Sequence, residues 1–98
     1  IPAEFLGTWT NPNGTTITVT SDKVVIDEID YEGDDYLNTY ATYDVGAEFT
    51  FTGYENGIVQ LEDTVSYDTA DMAFNSDGET IYLDSNCTGW RFDNFARV

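Results

Sequence analysis

The chain has 98 residues, of which 41% are hydrophobic and 15% aromatic, enough to build one hydrophobic core and too many for a disordered segment. Nineteen Asp and Glu side chains face three Lys and Arg, and the formal net charge of −16 argues against nucleic-acid binding. No run approaches the roughly 18 apolar residues of a membrane-spanning helix, and a single cysteine, Cys87, leaves no internal disulfide to form.

The predicted elements are short β-strands, because apolar residues recur at every second position and Thr, Val, Ile, Tyr and Phe dominate. After the strand through Trp9, the alternating positions in chain order are Ile17 and Val19, Val24 and Ile26, Leu37 to Val45, Phe49 and Phe51, Val59 and Leu61, Val65 and Tyr67, Ile81 and Leu83, and the aromatic segment 90–98. The one place where a short helix fits is the segment 69–74, where Ala70, Met72, Ala73 and Phe74 cluster.

Turn sequences separate these runs at short, even spacing. Asn-Gly and Asp-Gly pairs, as in Asn56-Gly57 and Asp77-Gly78, are strong hairpin signals because type I′ turns need positive φ at both central residues. The sequence therefore predicts one all-β domain over residues 1–98. The expected architecture is a small antiparallel up-and-down meander barrel of about eight strands, with a β-sandwich as the alternative.

The segment Phe5-Leu-Gly-Thr-Trp9, followed by a hairpin, resembles the opening of the calycin group, which includes lipocalins, fatty-acid-binding proteins and avidins. In that group a Gly-x-Trp begins the first strand, the Trp closes one end of the barrel, and a basic residue of the last strand packs across it. The resemblance implies a lipocalin-like barrel closed by Trp9, with Arg97 as the basic partner and Arg91 as the second candidate. An arginine stacked on an indole is a cation–π contact.

The match to avidins is local. Gly7-Thr-Trp9, Asn11, Gly14 and the Thr-rich strand through Thr20 are similar to an avidin first hairpin, in which the residues at the Asn11 and Thr15 positions hydrogen-bond the biotin head. Avidins close their pocket with further tryptophans, whereas this chain has only Trp90 besides Trp9. The similarity therefore implies shared barrel-opening geometry rather than biotin binding.

A location in a secreted or cell-surface protein is expected on two grounds. The segments Pro2 to Trp9 and Phe95 to Arg97 are similar to the two ends of small lipocalin-like domains in bacterial surface proteins. The chain also begins with Ile1 rather than Met, which fits a removed signal or a piece of a longer protein.

Enzymatic chemistry is not expected, since the chain has no histidine and therefore no Ser-His-Asp or Cys-His site. Cys87 lies in a predicted turn without a basic neighbour, so an inert thiol is predicted. The acidic segment 30–35 places its glycine fourth rather than sixth, unlike an EF-hand, and is interpreted as a solvated turn. No catalytic residue, metal ligand or cofactor is predicted.

The interior of an eight-stranded barrel is either filled by side chains or holds one small ligand. Residue parity and the calycin resemblance select the candidate ligand-binding residues Trp9, Tyr43, Phe49, Phe51, Tyr67 and Arg97. The predicted function is a non-enzymatic binding or accessory module that holds a small apolar ligand in the barrel. The alternative is an acidic protein-interaction module, such as an inhibitor or nucleic-acid mimic, that contacts a basic partner through its Asp, Glu and Tyr surface.

Overall fold

A computed structural model describes residues 1–28, 47–86 and 91–98, which form a closed antiparallel barrel. The described elements are a 3₁₀ turn at Ala3–Phe5 and the strands β1 (Gly7–Thr10), β2 (Thr16–Val19), β3 (Lys23–Glu28), β4 (Ala47–Glu55), β5 (Ile58–Asp63), β6 (Thr69–Phe74), β7 (Ile81–Ser85) and β8 (Arg91–Arg97). Each strand pairs with the next, and β8 pairs back with β1, where Arg97 lies opposite Trp9. The predicted up-and-down barrel is confirmed, and the sandwich alternative is wrong.

The strands form where β-branched and aromatic residues alternate with polar ones, so that one face of each strand is buried inside the barrel. In β2, for example, Ile17 and Val19 are buried while Thr16 and Thr18 lie on the outer face, half-buried. The buried apolar core consists of Phe5, Trp9, Ile17, Val19, Val24, Ile26, Phe49, Val59, Leu61, Ala70, Met72, Ile81, Leu83, Phe92 and Phe95.

Strand β8 departs from simple alternation, since Phe92 and Phe95 are three positions apart and both face inward. The register between β7 and β8 shifts between Ile81 and Leu83, and Asn94 has φ +57°. A bulge of this kind adds a residue to one strand and thereby reverses its parity. The two Phe rings pack with their centroids 6.3 Å apart.

The barrel has two unlike ends, named here by the direction of β1: the lower end, where β1 begins, and the upper end, where it finishes. At the lower end the 3₁₀ turn inserts Phe5, whose ring centroid lies 4.8 Å from that of Phe74 and 6.4 Å from that of Tyr54. The Trp9 indole donates a 2.8 Å hydrogen bond from Nε1 to the Phe5 carbonyl. An apolar plug therefore closes the lower end.

Two sequence predictions are wrong. The segment 69–74 is strand β6 rather than a helix, because it completes the ladder between β5 and β7 and buries Ala70 and Met72 on its inner face. The run through Val65 and Tyr67 is a turn rather than a strand. Asp63 accepts hydrogen bonds there from the N–H groups of residues 65 and 66, which reverses the chain.

Candidate ligand-binding site at the upper end of the barrel

The four polar side chains that are buried in the described part of the chain all lie at the upper end of the barrel. They come from the end of β1, the beginning of β2, and the ends of β5 and β7: Asn11, Thr15, Asp63 and Ser85. The lower end, by contrast, is closed by the aromatic rings of Phe5, Trp9 and Phe74. The interior is therefore apolar at its base and more polar toward the upper end.

Strand parity places these polar residues on the inner face. Each lies two positions beyond a buried apolar residue of the same strand, as Thr15 follows from Ile17, Asp63 from Leu61 and Ser85 from Leu83. Alternation in the sequence identifies only the apolar residues of each inner face. It misses the polar residues that continue the same face at the end of the strand. Extending each inner face by two residues is the signal that finds them.

Thr15 is the most unusual member of this group. The residue is 0% exposed, and its Oγ1 has no hydrogen-bond partner among the described residues. Its backbone is well satisfied, since its N–H donates to Asn11 Oδ1 at 2.9 Å and its carbonyl accepts from Asn11 N–H at 3.0 Å. A buried hydroxyl without a partner costs roughly 1–3 kcal/mol, so the fold tolerates a local penalty at this point.

Asp63 presents a second polar group on the same inner surface and is 6% exposed. Its Oδ1 accepts the N–H groups of Val65 at 2.8 Å and Ser66 at 3.0 Å, which holds the turn after β5. No described residue donates a hydrogen bond to Oδ2. Within the described ranges, one oxygen of this carboxylate is thus structural, and the other has no donor.

The core layer beneath these groups is apolar and includes small side chains. Phe49 pairs directly with Asp63 across β4 and β5, and Ala70 pairs with both Leu61 and Ser85. Ala47, at the upper end of β4, packs against the core from a half-buried position. An apolar surface with a few convergent polar groups is the usual lining of a small-molecule site.

The lower end shows the contact that the calycin resemblance implies. The Arg97 guanidinium carbon lies 4.3 Å from the centroid of the Trp9 ring. Its Nη2 donates to the Glu4 carbonyl at 2.6 Å, and its Nη1 donates to the Leu6 carbonyl. Arg97 therefore ties the N-terminal plug to the last strand.

The second candidate for that role, Arg91, lies elsewhere, on the outer face of β8. It donates to Asp84 and Asp93, each at 3.1 Å, and its guanidinium lies 4.2 Å from the Tyr82 ring centroid. Burial lowers the pKa of Arg91, but the hydrogen bond and charge of Asp93, followed by those of Asp84, outweigh it and raise the pKa overall. This cluster stabilises the outer surface of the sheet.

The sequence-predicted site residues are divided between the two ends. Trp9 and Phe49 are buried inside, as expected, and Phe51 is half-buried against the core. Tyr67 does not face inward; it is exposed in the turn after β5, so that prediction of its orientation is wrong. Arg97 stacks over the Trp9 ring at the lower end, and Tyr43 lies outside the described residues.

The described ranges lack a metal-binding cluster and a membrane-spanning helix. No group of three or more His, Cys, Asp or Glu side chains there could hold a metal ion. No helix in the same ranges is long and apolar enough to cross a membrane. Cys87 and the acidic segment 30–35 lie outside the described residues.

No protein-family model, curated protein or solved structure matches the chain.

Proposed function

We propose that the protein is a non-enzymatic binding module whose barrel holds a small, mainly apolar ligand at its upper end. The observation that carries this proposal is the Thr15 hydroxyl, which is fully buried at the inner face and lacks a partner among the described residues. Native proteins satisfy nearly all buried polar groups, so an exception of this kind requires an explanation. A ligand that hydrogen-bonds the hydroxyl supplies one.

The division of the interior into an apolar base and a polar rim supports the same proposal. A ligand with an apolar body would contact Phe49 and Leu61, while its polar group would meet Thr15. Membership of a lipocalin-like group and a secreted or cell-surface location are parts of this proposal.

The test is a titration with N-phenylnaphthylamine, a neutral apolar dye whose fluorescence rises when it leaves water. We expect saturable binding with a micromolar dissociation constant, and displacement of the dye by octanol. Thr15→Val replaces the hydroxyl by a methyl group. We expect it to weaken the binding of octanol about tenfold, which is the effect of roughly one hydrogen bond.

Thr16→Val is the matched control, because Thr16 is the next residue on the same strand but points outward and donates its hydroxyl to Thr10 at 3.3 Å. This control should bind octanol as the unmodified protein does. Absence of dye binding, or equal losses in the two variants, would refute the proposed site.

A second candidate function, contact with a basic protein, is favoured by the turn between β5 and β6. Val65 is 85% exposed and Tyr67 is 71% exposed there, beside the acidic residues Glu62 and Asp68. An exposed aromatic with acidic neighbours suits recognition of a basic, partly apolar surface.

This candidate is tested with a peptide of alternating lysine and leucine. If the turn is the contact, binding falls steeply with salt and also weakens about tenfold in the double variant Val65→Ser, Tyr67→Ser. Salt-sensitive binding that the double variant retains would mean that net charge alone attracts the peptide.

A further inference from the structure

The chemistry of the upper site identifies the class of ligand, an inference that rests on the proposed function. We propose that the site takes an organic cation: an apolar body bearing an ammonium group that pairs with Asp63. The first observation is that the two oxygens of this carboxylate differ in their hydrogen bonds. Oδ1 accepts two backbone N–H groups, whereas Oδ2 accepts no hydrogen bond from any described residue.

The position of Asp63 is the second observation. The residue is only 6% exposed and continues the inner face of β5 beyond Val59 and Leu61. Shielding a carboxylate without a counter-charge is unfavourable, and a cation removes this penalty. The three basic side chains of the chain are engaged elsewhere, since Lys23 pairs with Glu48, Arg91 with Asp84 and Asp93, and Arg97 with backbone carbonyls.

Neighbouring residues define the rest of the ligand. Phe49, fully buried, lies directly across the sheet from Asp63, and Leu61 lies one inward position below it. An ammonium group that hydrogen-bonds Asp63 Oδ2 would therefore pack its carbon chain against Phe49 and Leu61, both of which are fully buried, so ligand binding has to displace their present packing. The charge-assisted hydrogen bond is stronger than one to a neutral group, which favours an amine over an alcohol of equal length.

The charge of the whole protein acts in the same direction. A net charge of −16 raises the local concentration of cations and repels anions. An amine is attracted at long range by this field and selected at short range by Asp63. These two effects are separable, because added salt screens the first far more than the second.

The experiment compares octylammonium, octanol and octanoate as competitors of N-phenylnaphthylamine, with Asp63→Asn and Glu62→Gln as a matched pair. Both substitutions remove one negative charge from β5, but Asp63 faces inward and Glu62 faces outward. The amide introduced by Asp63→Asn keeps an oxygen that can accept the two N–H groups of the turn, so the fold should persist.

We expect octylammonium to bind at least tenfold more tightly than octanol in moderate salt, and octanoate to bind most weakly. Asp63→Asn should reduce the preference for the amine to about twofold or less, and Glu62→Gln should leave it unchanged. Equal affinity for octylammonium and octanol would overturn the inference while leaving the apolar site intact. Failure of all three compounds and of the dye would instead overturn the proposed function itself.

If Asp63→Asn does not fold, the comparison of the three ligands on the unmodified protein still decides the matter. A preference for octylammonium that disappears at high salt would assign it to the surface charge and overturn the role of Asp63. A preference that persists would support that role.

Discussion

Gly7 shows at the scale of one residue why a Gly-x-Trp sequence opens this barrel. Its φ is +126°, and a Cβ atom at this position would lie 2.9 Å from Arg97 Nη1. The guanidinium needs that space in order to reach the Leu6 and Glu4 carbonyls while it stacks on Trp9. Gly7 thus permits both the backbone conformation and the close approach of the last strand.

Gly7→Ala is expected to destabilise the protein more than Gly57→Ala, which serves as its matched control. Gly57 also has positive φ, +81°, but no atom lies within 4 Å of its would-be Cβ. The control should therefore show only backbone strain, roughly 1–2 kcal/mol. Gly7→Ala should cost at least about 1 kcal/mol more, because hydrogen bonds from a charged group are disturbed. Urea denaturation measures the free energy of unfolding of both variants. Equal losses of stability would mean that the Arg97 side chain moves away from the new Cβ without a cost in free energy.

At the scale of single elements, the hairpin between β6 and β7 shows how a short turn is stabilised by one carboxylate. Asp77 accepts the N–H groups of Thr80 at 2.9 Å and Glu79 at 2.8 Å, and also the Thr80 hydroxyl at 2.8 Å. These hydrogen bonds, first of all that from the Thr80 N–H, lower the pKa of Asp77 below its ordinary value. The ionised form is therefore bound more favourably in the folded state than in the unfolded state.

This shift predicts how the stability of an Asp77→Asn variant depends on pH. A lowered folded-state pKa gives stability that is present above the ordinary value of 3.8 and is lost as pH falls through the folded value. The variant should therefore be less stable than the unmodified protein at neutral pH, and the difference should shrink toward zero in strong acid. Thermal melts across this range provide the measurement. A difference that does not change with pH would show that the charge of Asp77 contributes nothing.

The elements also show how far the sequence alone can be interpreted. Alternation located most strands because an inner face such as Ile17 and Val19 is both apolar and buried. It failed for β6, since Ala70, Met72 and Ala73 have weak strand preferences and pair only because β5 and β7 lie on either side. It also failed at Tyr67. The Asp63 carboxylate accepts the Val65 N–H and so forms a turn that ends β5, and Tyr67 itself has a left-handed backbone with φ +63°.

The candidate site was less accessible to sequence analysis than the fold, for a physical reason. The sequence identifies aromatic residues that fill a core, and Trp9 and Phe49 are indeed buried. Thr15 and Asp63 resemble ordinary polar residues next to turns, and only the closure of the barrel makes their side chains internal. Which polar residues are shielded is decided by contacts between strands, such as that of Phe49 with Asp63 across β4 and β5.

At the scale of the whole molecule, closure of the barrel bears on both the stability of the chain and the location of its candidate site. Pairing of β8 with β1 leaves no free sheet edge among the described strands, which protects a small all-β protein from pairing with other chains. The same closure produces one interior with two ends. Because Phe5 plugs the lower end, the proposed ligand would be taken up at the upper end, where the buried polar residues lie.

We propose that this upper end keeps a polar group for a ligand at the expense of stability, and the decisive measurement is the free energy of unfolding of Thr15→Val without ligand. Valine has the same shape but leaves no unpaired hydroxyl, so urea denaturation should show a gain of about 1–2 kcal/mol. The same variant should bind octanol more weakly. A loss of stability of similar size would contradict the claim, because it would show that the hydroxyl serves the fold itself.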